Sequence, residues 1–210
     1  MFRPQREVVL CLGKTGSGKT TLAKSLVLDQ TRVIVLDPAG FNEYGILQVH
    51  SFEALRSRLI EAHHDGAGFF RIAYSPLSGE SGAVFEMAQA VNFSSQKMAY
   101  VNQSWIVLEE ADLLDPPEQM PEYDEVISRG RHYGVNILAV SLYPFKLPPM
   151  LRRQATKIYA FASHEPADIK WYRDVFGDRA DEIINLPPHH YLAWDKGIVT
   201  GPLTLDLKKV

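Results

Sequence analysis

Residues 13–20, G-K-T-G-S-G-K-T, are the stretch of this chain best suited to chemistry. They fit the pattern G-x-x-x-x-G-K-[ST], in which glycines let successive backbone N–H groups turn toward phosphate oxygens. In this pattern Lys19 reaches the β- and γ-phosphates, and the hydroxyl of Thr20 binds Mg²⁺. The motif therefore predicts a site for ATP and Mg²⁺. Its predicted nucleotide contacts are Gly13, Lys14, Thr15, Gly16, Ser17, Gly18, Lys19, Thr20 and Thr21.

Two acidic residues, Glu109 and Glu110, follow a second apolar run, W-I-V-L at residues 105–108. A phosphate loop works with carboxylates at the end of another buried strand. One of them holds Mg²⁺ through water, and the other polarises the water that attacks the γ-phosphate. We assign Glu109 to the metal and Glu110 to the water, with Asp112 as a weaker substitute for either.

Several residues are candidates to stabilise the charge that develops on the γ-phosphate. Arg129 and Arg131 close one predicted helix, and Arg152 and Arg153 follow the next predicted strand. Either pair could supply an arginine finger to a neighbouring subunit, although the helix dipole alone also favours cations at a helix C-terminus. Ser141, at the end of its strand, is a candidate to bind the γ-phosphate or the attacking water.

Other polar groups give weaker signals. The pairs His63-His64 and His189-His190 have no Cys or carboxylate partner at a metal-ligand spacing, so we expect solvated side chains. Lys146, Arg152, Arg153 and Lys157 form a basic group in the sequence that could contact a phosphate backbone or be an ordinary wet surface.

Composition narrows the class of protein. The 210 residues are 46% hydrophobic and 22% charged, as is ordinary for a soluble globular chain. A single cysteine, Cys11, excludes an intramolecular disulfide and favours a reducing, cytoplasmic setting. No apolar run approaches the roughly 20 residues needed to cross a membrane, so we expect no membrane insertion. The net charge of −3 does not indicate a nucleic-acid binder, but a local basic stripe would suffice for one.

Apolar strands alternate with amphipathic helices, which predicts an α/β fold with a mostly parallel sheet flanked by helices. The predicted strands are residues 8–12, 32–36, 69–73, 105–108, 136–140 and 158–162, with a C-terminal β-hairpin at 191–200. The predicted helices are residues 21–28, 52–62, 83–93, 123–134 and 169–176, with a short helix opened by Pro148 and Pro149. We expect one domain over residues 1–210, with a core at 7–175 and an extension at 176–210.

Four stretches resemble the FtsK–HerA superfamily of ring-forming ATPases, especially the compact DNA-packaging ATPases of membrane-containing icosahedral viruses. They are the phosphate loop, V-I-V-L-D-P-A-G at residues 33–40, I-V-L-E-E-A at 106–111 and G-R-H-Y-G-V-N-I-L-A-V-S at 130–141. The resemblance continues through L-P-P-M-L-R-R-Q-A-T at 147–156. The chain is thus similar to this family over residues 7–175.

The resemblance implies an ASCE-type, RecA-like P-loop fold and a pentameric or hexameric ring. Such a ring hydrolyses ATP to move double-stranded DNA without sequence preference, here in viral genome packaging. A capsid or membrane vertex protein would be a further partner, in the host cytoplasm or the virion. The alternatives are an ATPase for protein export or virion assembly, a small-molecule phosphotransferase, and a nucleotide-binding module with little turnover.

The chain departs from the family at two positions. Glu109 stands where the family usually has Asp, and Ser141 stands where it usually has Gln or Asn. Both departures favour the low-turnover alternative. The resemblance also places Asp37 near the nucleotide or a subunit contact, whereas the residues alone allow a plain turn-forming Asp before Pro38.

Overall fold

The computed structural model describes residues 6–64, 68–76, 85, 103–114 and 121–207. They form two compact units. Of the described residues, the first unit holds residues 6, 29–109 and 114–137, and the second holds 7–28, 110–113 and 138–207. The single domain expected from the sequence stays a prediction.

The described residues form nine strands and five α-helices. The strands are β1 (Val8–Leu12), β2 (Arg32–Leu36), β3 (Leu47–Val49), β4 (Phe70–Tyr74), β5 (Ser104–Leu108), β6 (Val135–Ser141), β7 (Lys157–Phe161), β8 (His190–Asp195) and β9 (Ile198–Thr204). The helices are α1 (Lys19–Val27), α2 (Phe52–His64), α3 (Pro121–Tyr133), α4 (Pro149–Arg153) and α5 (Pro166–Phe176). Two 3₁₀ helices, Pro144–Lys146 and Gly177–Asn185, follow β6 and α5.

In the first unit the strands lie in the order β3-β4-β2-β5, followed by the first residues of β6. The pairs β3–β4, β4–β2 and β2–β5 are parallel, and Ile34 lies opposite both Ile72 and Ile106. Every residue of β2 and β5 is buried. This matches the apolar runs read from the sequence, because parallel strands are covered on both faces.

In the second unit the order runs from the end of β6 through β1, β7 and β8 to β9. β1 and β7 are parallel, while β7–β8 and β8–β9 are antiparallel. The predicted C-terminal hairpin is therefore confirmed. Its two-residue loop has positive φ at Lys196 (47°) and Gly197 (94°), the signs required by a type I′ turn.

Helix boundaries follow from ordinary capping. The Ser51 hydroxyl accepts a hydrogen bond from the Ala54 N–H (3.2 Å) at the start of α2, as expected of an N-cap. α5 begins at Pro166 and ends before Gly177, whose φ is 59°. Ile169, Tyr172 and Phe176 are buried at helical spacing along it.

The α/β class and most elements are confirmed, with most boundaries shifted by one or two residues. α5 begins three residues earlier than predicted, and β9 ends four residues later. β3 and the 3₁₀ helix Gly177–Asn185 were not predicted. The helix predicted at residues 83–93 lies outside the described residues except for Phe85, which is buried. The ring of Phe85 stacks on that of Tyr123, with the ring centroids 4.5 Å apart.

Candidate nucleotide site

The phosphate loop joins β1 to α1 in the second unit and is fastened at its base. The Gly13 N–H donates to the Ser141 carbonyl (3.3 Å), and the Lys14 N–H donates to the Ala162 carbonyl (3.0 Å). Gly13 has a φ of 141°, and a Cβ there would lie 2.7 Å from the Phe161 Cβ. Only glycine fits this position, so the loop starts at a fixed point beside the ends of β6 and β7.

The loop then curls into a cradle of backbone N–H groups. Gly16 and Gly18 are left-handed, with φ of 72° and 105°. Within the described part of the chain, the N–H groups of Thr15, Gly16 and Gly18 donate no hydrogen bond. Together with the N-terminus of α1 they form a concave, partly positive surface, which suits a phosphate group.

Two side chains of the loop add to this fit. Lys19 is only 8% exposed, and its ammonium donates to the Lys14 carbonyl (2.9 Å). The Ser17 hydroxyl is buried and has no hydrogen-bond partner among the described residues. An unpartnered buried hydroxyl costs about 1–3 kcal/mol, which a phosphate oxygen could offset. The loop therefore fits a phosphate group, and the nucleotide contacts at residues 13–21 stay predictions. Thr20 and Thr21 lie half-buried at the start of α1.

His189 contacts the phosphate loop, which the sequence did not indicate. A Cβ on Gly18 would lie 3.1 Å from His189 Nδ1 and 2.8 Å from Leu205 Cδ2. That ring nitrogen is buried and has no partner among the described residues. His189 is half-buried, so the prediction of a solvated side chain holds only in part. The burial of its Nδ1 depends on packing between distant segments. His63 and His64 are exposed, as expected.

The two acids after β5 have different surroundings. The Tyr44 hydroxyl donates to Glu109 Oε1 (2.6 Å) within the first unit. Glu110 belongs to the second unit and is left-handed, with a φ of 48°. For a non-glycine residue this conformation costs about 1–2 kcal/mol, and such strain is concentrated at functional positions. The metal role of Glu109 and the water role of Glu110 stay predictions.

Asp112 fastens the Glu110 turn to the end of β6. Its Oδ1 accepts hydrogen bonds from the Ser141 hydroxyl (2.8 Å) and the Leu142 N–H (3.0 Å). The Ser141 oxygen in turn accepts from the Tyr143 N–H (3.1 Å). The Ser141 hydroxyl hydrogen thus points to a carboxylate, and its contact with the γ-phosphate stays a prediction. Sequence reasoning treated Asp112 only as a substitute acid and missed this positioning role.

No contact among the described residues places either arginine pair at the phosphate loop. Arg129 is exposed on α3, and the side chain of Arg131 lies outside the described residues. The Arg152 guanidinium lies 6.0 Å from the centre of the Trp171 ring, and burial together with nearby Arg153 lowers its pKa. The arginine finger therefore stays a prediction for both pairs.

The two lysines predicted to contact DNA differ in the groups that their side chains already contact. Lys146 is exposed, and its ammonium lies 4.4 Å from the centre of the Tyr143 ring. Lys157 forms an ion pair with Glu7 (2.8 Å). Residues 77–82 of the loop-like segment 75–82 lie outside the described residues. Lys146 is thus a better DNA candidate than Lys157.

Asp37 has the contacts of a turn-forming residue. Its two carboxylate oxygens accept hydrogen bonds from the N–H groups of Gly40 (2.9 Å) and Asn42 (2.7 Å). The side chain itself is buried. These bonds satisfy both oxygens locally, as the turn interpretation expects.

A cavity of about 220 Å³ adjoins the phosphate loop in the second unit. Its lining residues are Lys14, Thr15, Leu142, Tyr143, Ser163, His164, Glu165 and Asp168. Asp168 is fully buried, and its Oδ2 accepts a hydrogen bond from the Ser163 hydroxyl (3.0 Å). Burial raises the pKa of Asp168 to about 6, with smaller increases from Glu165 and Asp112. The Ser163 hydroxyl and the Phe145 N–H oppose this rise.

Asp168 should make stability depend on pH. Its pKa of about 6 in the folded chain exceeds the ordinary value of 3.8. The stabilisation that the protonated Asp168 gives the folded chain is therefore present at low pH and is lost as pH rises through 6. The difference between these two pKa values corresponds to about 3 kcal/mol. We expect the Asp168→Asn variant to gain up to that amount over the original chain between about pH 4 and pH 7. Urea unfolding at both pH values measures this, with exposed Asp174→Asn on the same helix as the control. Parallel pH profiles for the original chain and Asp168→Asn would contradict it.

No protein-family model and no curated protein matches this sequence. Solved structures do match in fold. The genome packaging NTPase B204 from Sulfolobus turreted icosahedral virus 2, in complex with ATP-gammaS, aligns with a TM-score of 0.72 at 16% identity, over 93% of this chain and 95% of its own. The DNA-packaging ATPase B204 from Sulfolobus turreted icosahedral virus aligns with a TM-score of 0.68 at 19% identity, over 92% and 95%.

A third match is VirB4 of Thermoanaerobacter pseudethanolicus, with a TM-score of 0.57 at 14% identity over 91% of this chain and 87% of its own. The chain has the P-loop NTPase fold. The fold expected from the sequence resemblance is thus confirmed over most of the chain.

In the described ranges, no three His, Cys, Asp or Glu side chains are grouped so as to hold a metal ion. No helix in the same ranges combines the length and apolar character needed to cross a membrane.

Proposed function

We propose that this chain is an ATPase that moves double-stranded DNA through a homo-oligomeric ring during genome packaging. The observation that carries the ATPase part is the phosphate loop with its buried Lys19. Three of its N–H groups and the Ser17 hydroxyl have no hydrogen-bond partner in the part of the chain that the structure describes. The DNA cargo rests on the sequence resemblance. The near full-length fold likeness to the packaging ATPase B204 supports it.

In the proposed reaction, the phosphate loop and the two acids after β5 have separate roles. The loop N–H groups and Lys19 bind the β- and γ-phosphates and orient the γ-phosphate for attack. Glu110 accepts the proton of the attacking water as its oxygen bonds to the γ-phosphorus and the bond to ADP breaks. Thr20 and Glu109 are the candidate ligands of Mg²⁺, which would offset charge on the phosphate oxygens when bound.

The ring is proposed because the arginine finger should come from a neighbouring subunit. Either Arg129 with Arg131 or Arg152 with Arg153 would supply it in a pentamer or hexamer. A capsid or membrane vertex protein is a further proposed partner, with action in the host cytoplasm or the virion. An ATPase for protein export or virion assembly is the main alternative.

We predict that mixed rings regain activity if the finger acts in trans. Lys19→Ala chains keep their arginines, and chains with Arg129→Ala and Arg131→Ala keep the phosphate loop, so mixing them should restore some ATP hydrolysis. The matching mixture uses Arg152→Ala with Arg153→Ala. Steady-state hydrolysis of each variant alone and of each mixture is the measurement. If neither mixture hydrolyses ATP faster than its two component variants do alone, a trans finger from these pairs loses its support.

We predict that DNA is held through its phosphates without sequence preference, because a packaging motor must pass every sequence. Each neutralised phosphate contributes about 0.9 to the slope of log affinity against log salt, so a ring should show a slope of several units. Binding to two unrelated duplexes between about 50 and 200 mM salt tests this. Lys146→Ala should reduce the slope, and exposed Lys170→Ala on α5 is the matched control. A flat salt response or a strong preference for one duplex is incompatible with the proposal.

A further inference from the structure

The cavity beside the phosphate loop contains a carboxylate that the proposed ATPase reaction does not use. Asp168 is fully buried, and its Oδ1 has no hydrogen-bond partner among the described residues. The Ser163 hydroxyl donates to Oδ2 (3.0 Å), and the Phe145 N–H also faces the carboxylate and lowers its pKa. Buried carboxylate oxygens are rarely left without a donor, because burial removes the water that would otherwise supply one.

The size and walls of the cavity limit what could supply that donor. A volume of about 220 Å³ exceeds the roughly 30 Å³ that one water molecule occupies in the liquid, so a small organic group fits. Leu142 and Tyr143 line the wall, where an aliphatic stem or a cation could pack. Lys14 and Thr15 of the phosphate loop line it as well.

The side chains that line the cavity favour a ligand with N–H groups over a metal ion. His164 and Glu165 also line the cavity, but in the described residues they do not group with Asp168 as metal ligands. An ionised carboxylate and a cationic N–H donor form charge-assisted hydrogen bonds, which are about twice as strong as neutral ones. We propose that this cavity binds a guanidinium or primary ammonium group at Asp168, beside the phosphate loop.

This site should be linked to the nucleotide, because Lys14 and Thr15 belong to both. A cation at Asp168 should bind more tightly when phosphates occupy the loop, and the nucleotide should gain the same factor in return. This linkage rests on the proposed nucleotide site, whereas the cation site itself does not. If nucleotide fails to bind but the cation still does, the proposed function fails and the present inference stands.

Methylguanidinium is a suitable probe, with tetramethylammonium as a control cation that has no N–H donor. In ¹⁵N–¹H spectra of the full chain at constant ionic strength, methylguanidinium should give saturable shifts at the amides of Leu142, Ser163 and Asp168. Asp168→Asn should weaken binding by at least about tenfold, because it removes the charge of the acceptor. Asp174→Asn, an exposed change on the same helix, should leave it unaltered.

Two results would overturn the inference. One is equal affinity of methylguanidinium for the original chain and for Asp168→Asn. The other is an equal response to tetramethylammonium. If Asp168→Asn does not fold, the original chain still decides, since an absence of saturable shifts at the three amides is also contradictory.

Two further experiments distinguish the possible sources of the natural cation. If Lys14 itself enters the cavity, Lys14→Met should raise the affinity for methylguanidinium by removing a competitor. If a second copy of the chain provides the cation, affinity should fall as chain concentration rises and subunits associate. A response to neither change assigns the site to a free cation.

Discussion

Lys19→Ala is expected to abolish measurable ATP hydrolysis and to weaken ATP affinity by about 10- to 100-fold. The variant loses a charge-assisted contact with the β- and γ-phosphates, which is worth about 1.5–3 kcal/mol. Loss of one group that stabilises charge in the transition state adds about 100- to 1,000-fold in rate. Titration calorimetry with ATP and a steady-state hydrolysis assay measure the two effects.

The fold should survive this change. The Lys19 ammonium donates to the Lys14 carbonyl, which also accepts the Ser17 N–H (3.3 Å) and so keeps a partner in the variant. Lys24→Ala removes an ammonium from the same helix without touching the loop, so it should match the original chain in both assays. Unchanged ATP affinity and turnover in Lys19→Ala would remove the phosphate-loop assignment.

Glu110→Gln is expected to slow ATP hydrolysis by about 100- to 10,000-fold while ATP still binds, because the amide keeps the shape but cannot accept the proton of the attacking water. The backbone of the turn should persist, since the Glu110 carbonyl, and not its side chain, accepts the Leu113 N–H (2.8 Å). Single-turnover hydrolysis together with ATP titration separates binding from chemistry.

Glu109→Gln is the matched comparison for this result. It should raise the Mg²⁺ concentration needed for activity, because it replaces a charged candidate ligand of the metal. If Glu109→Gln stops hydrolysis with a normal Mg²⁺ requirement, the roles of the two acids are exchanged. Full activity of Glu110→Gln would remove the assigned base.

The parts of the fold with strong periodic signals were predictable from the sequence. β1, the glycine loop and α1 follow one another as the motif requires, and β2 and β5 contain the continuous apolar runs 33–36 and 105–108. β3 escaped prediction because it has only three residues and Leu47 is exposed. The 3₁₀ helix Gly177–Asn185 buries Ala180 and Ile183, and two apolar positions are too few to give a periodic pattern that predicts a helix.

The site was predictable only where the motif is local. His189 reaches Gly18 across a separation of 171 residues, and no periodicity marks its burial. Asp168 did leave a signal, since it lies four residues before buried Tyr172 and therefore on the apolar face of α5. The bond between Asp112 and Ser141 depends on how two strand ends meet, which residue types alone do not specify.

The central claim is that ATP hydrolysis by this chain is coupled to double-stranded DNA. The most direct test is the steady-state rate of ATP hydrolysis by the full chain at low salt, with and without duplex DNA. We predict that DNA stimulates hydrolysis several-fold, independently of its sequence, and that Glu110→Gln removes the stimulated rate. ATP hydrolysis at the same rate with and without duplex DNA would contradict the account and favour protein export or virion assembly.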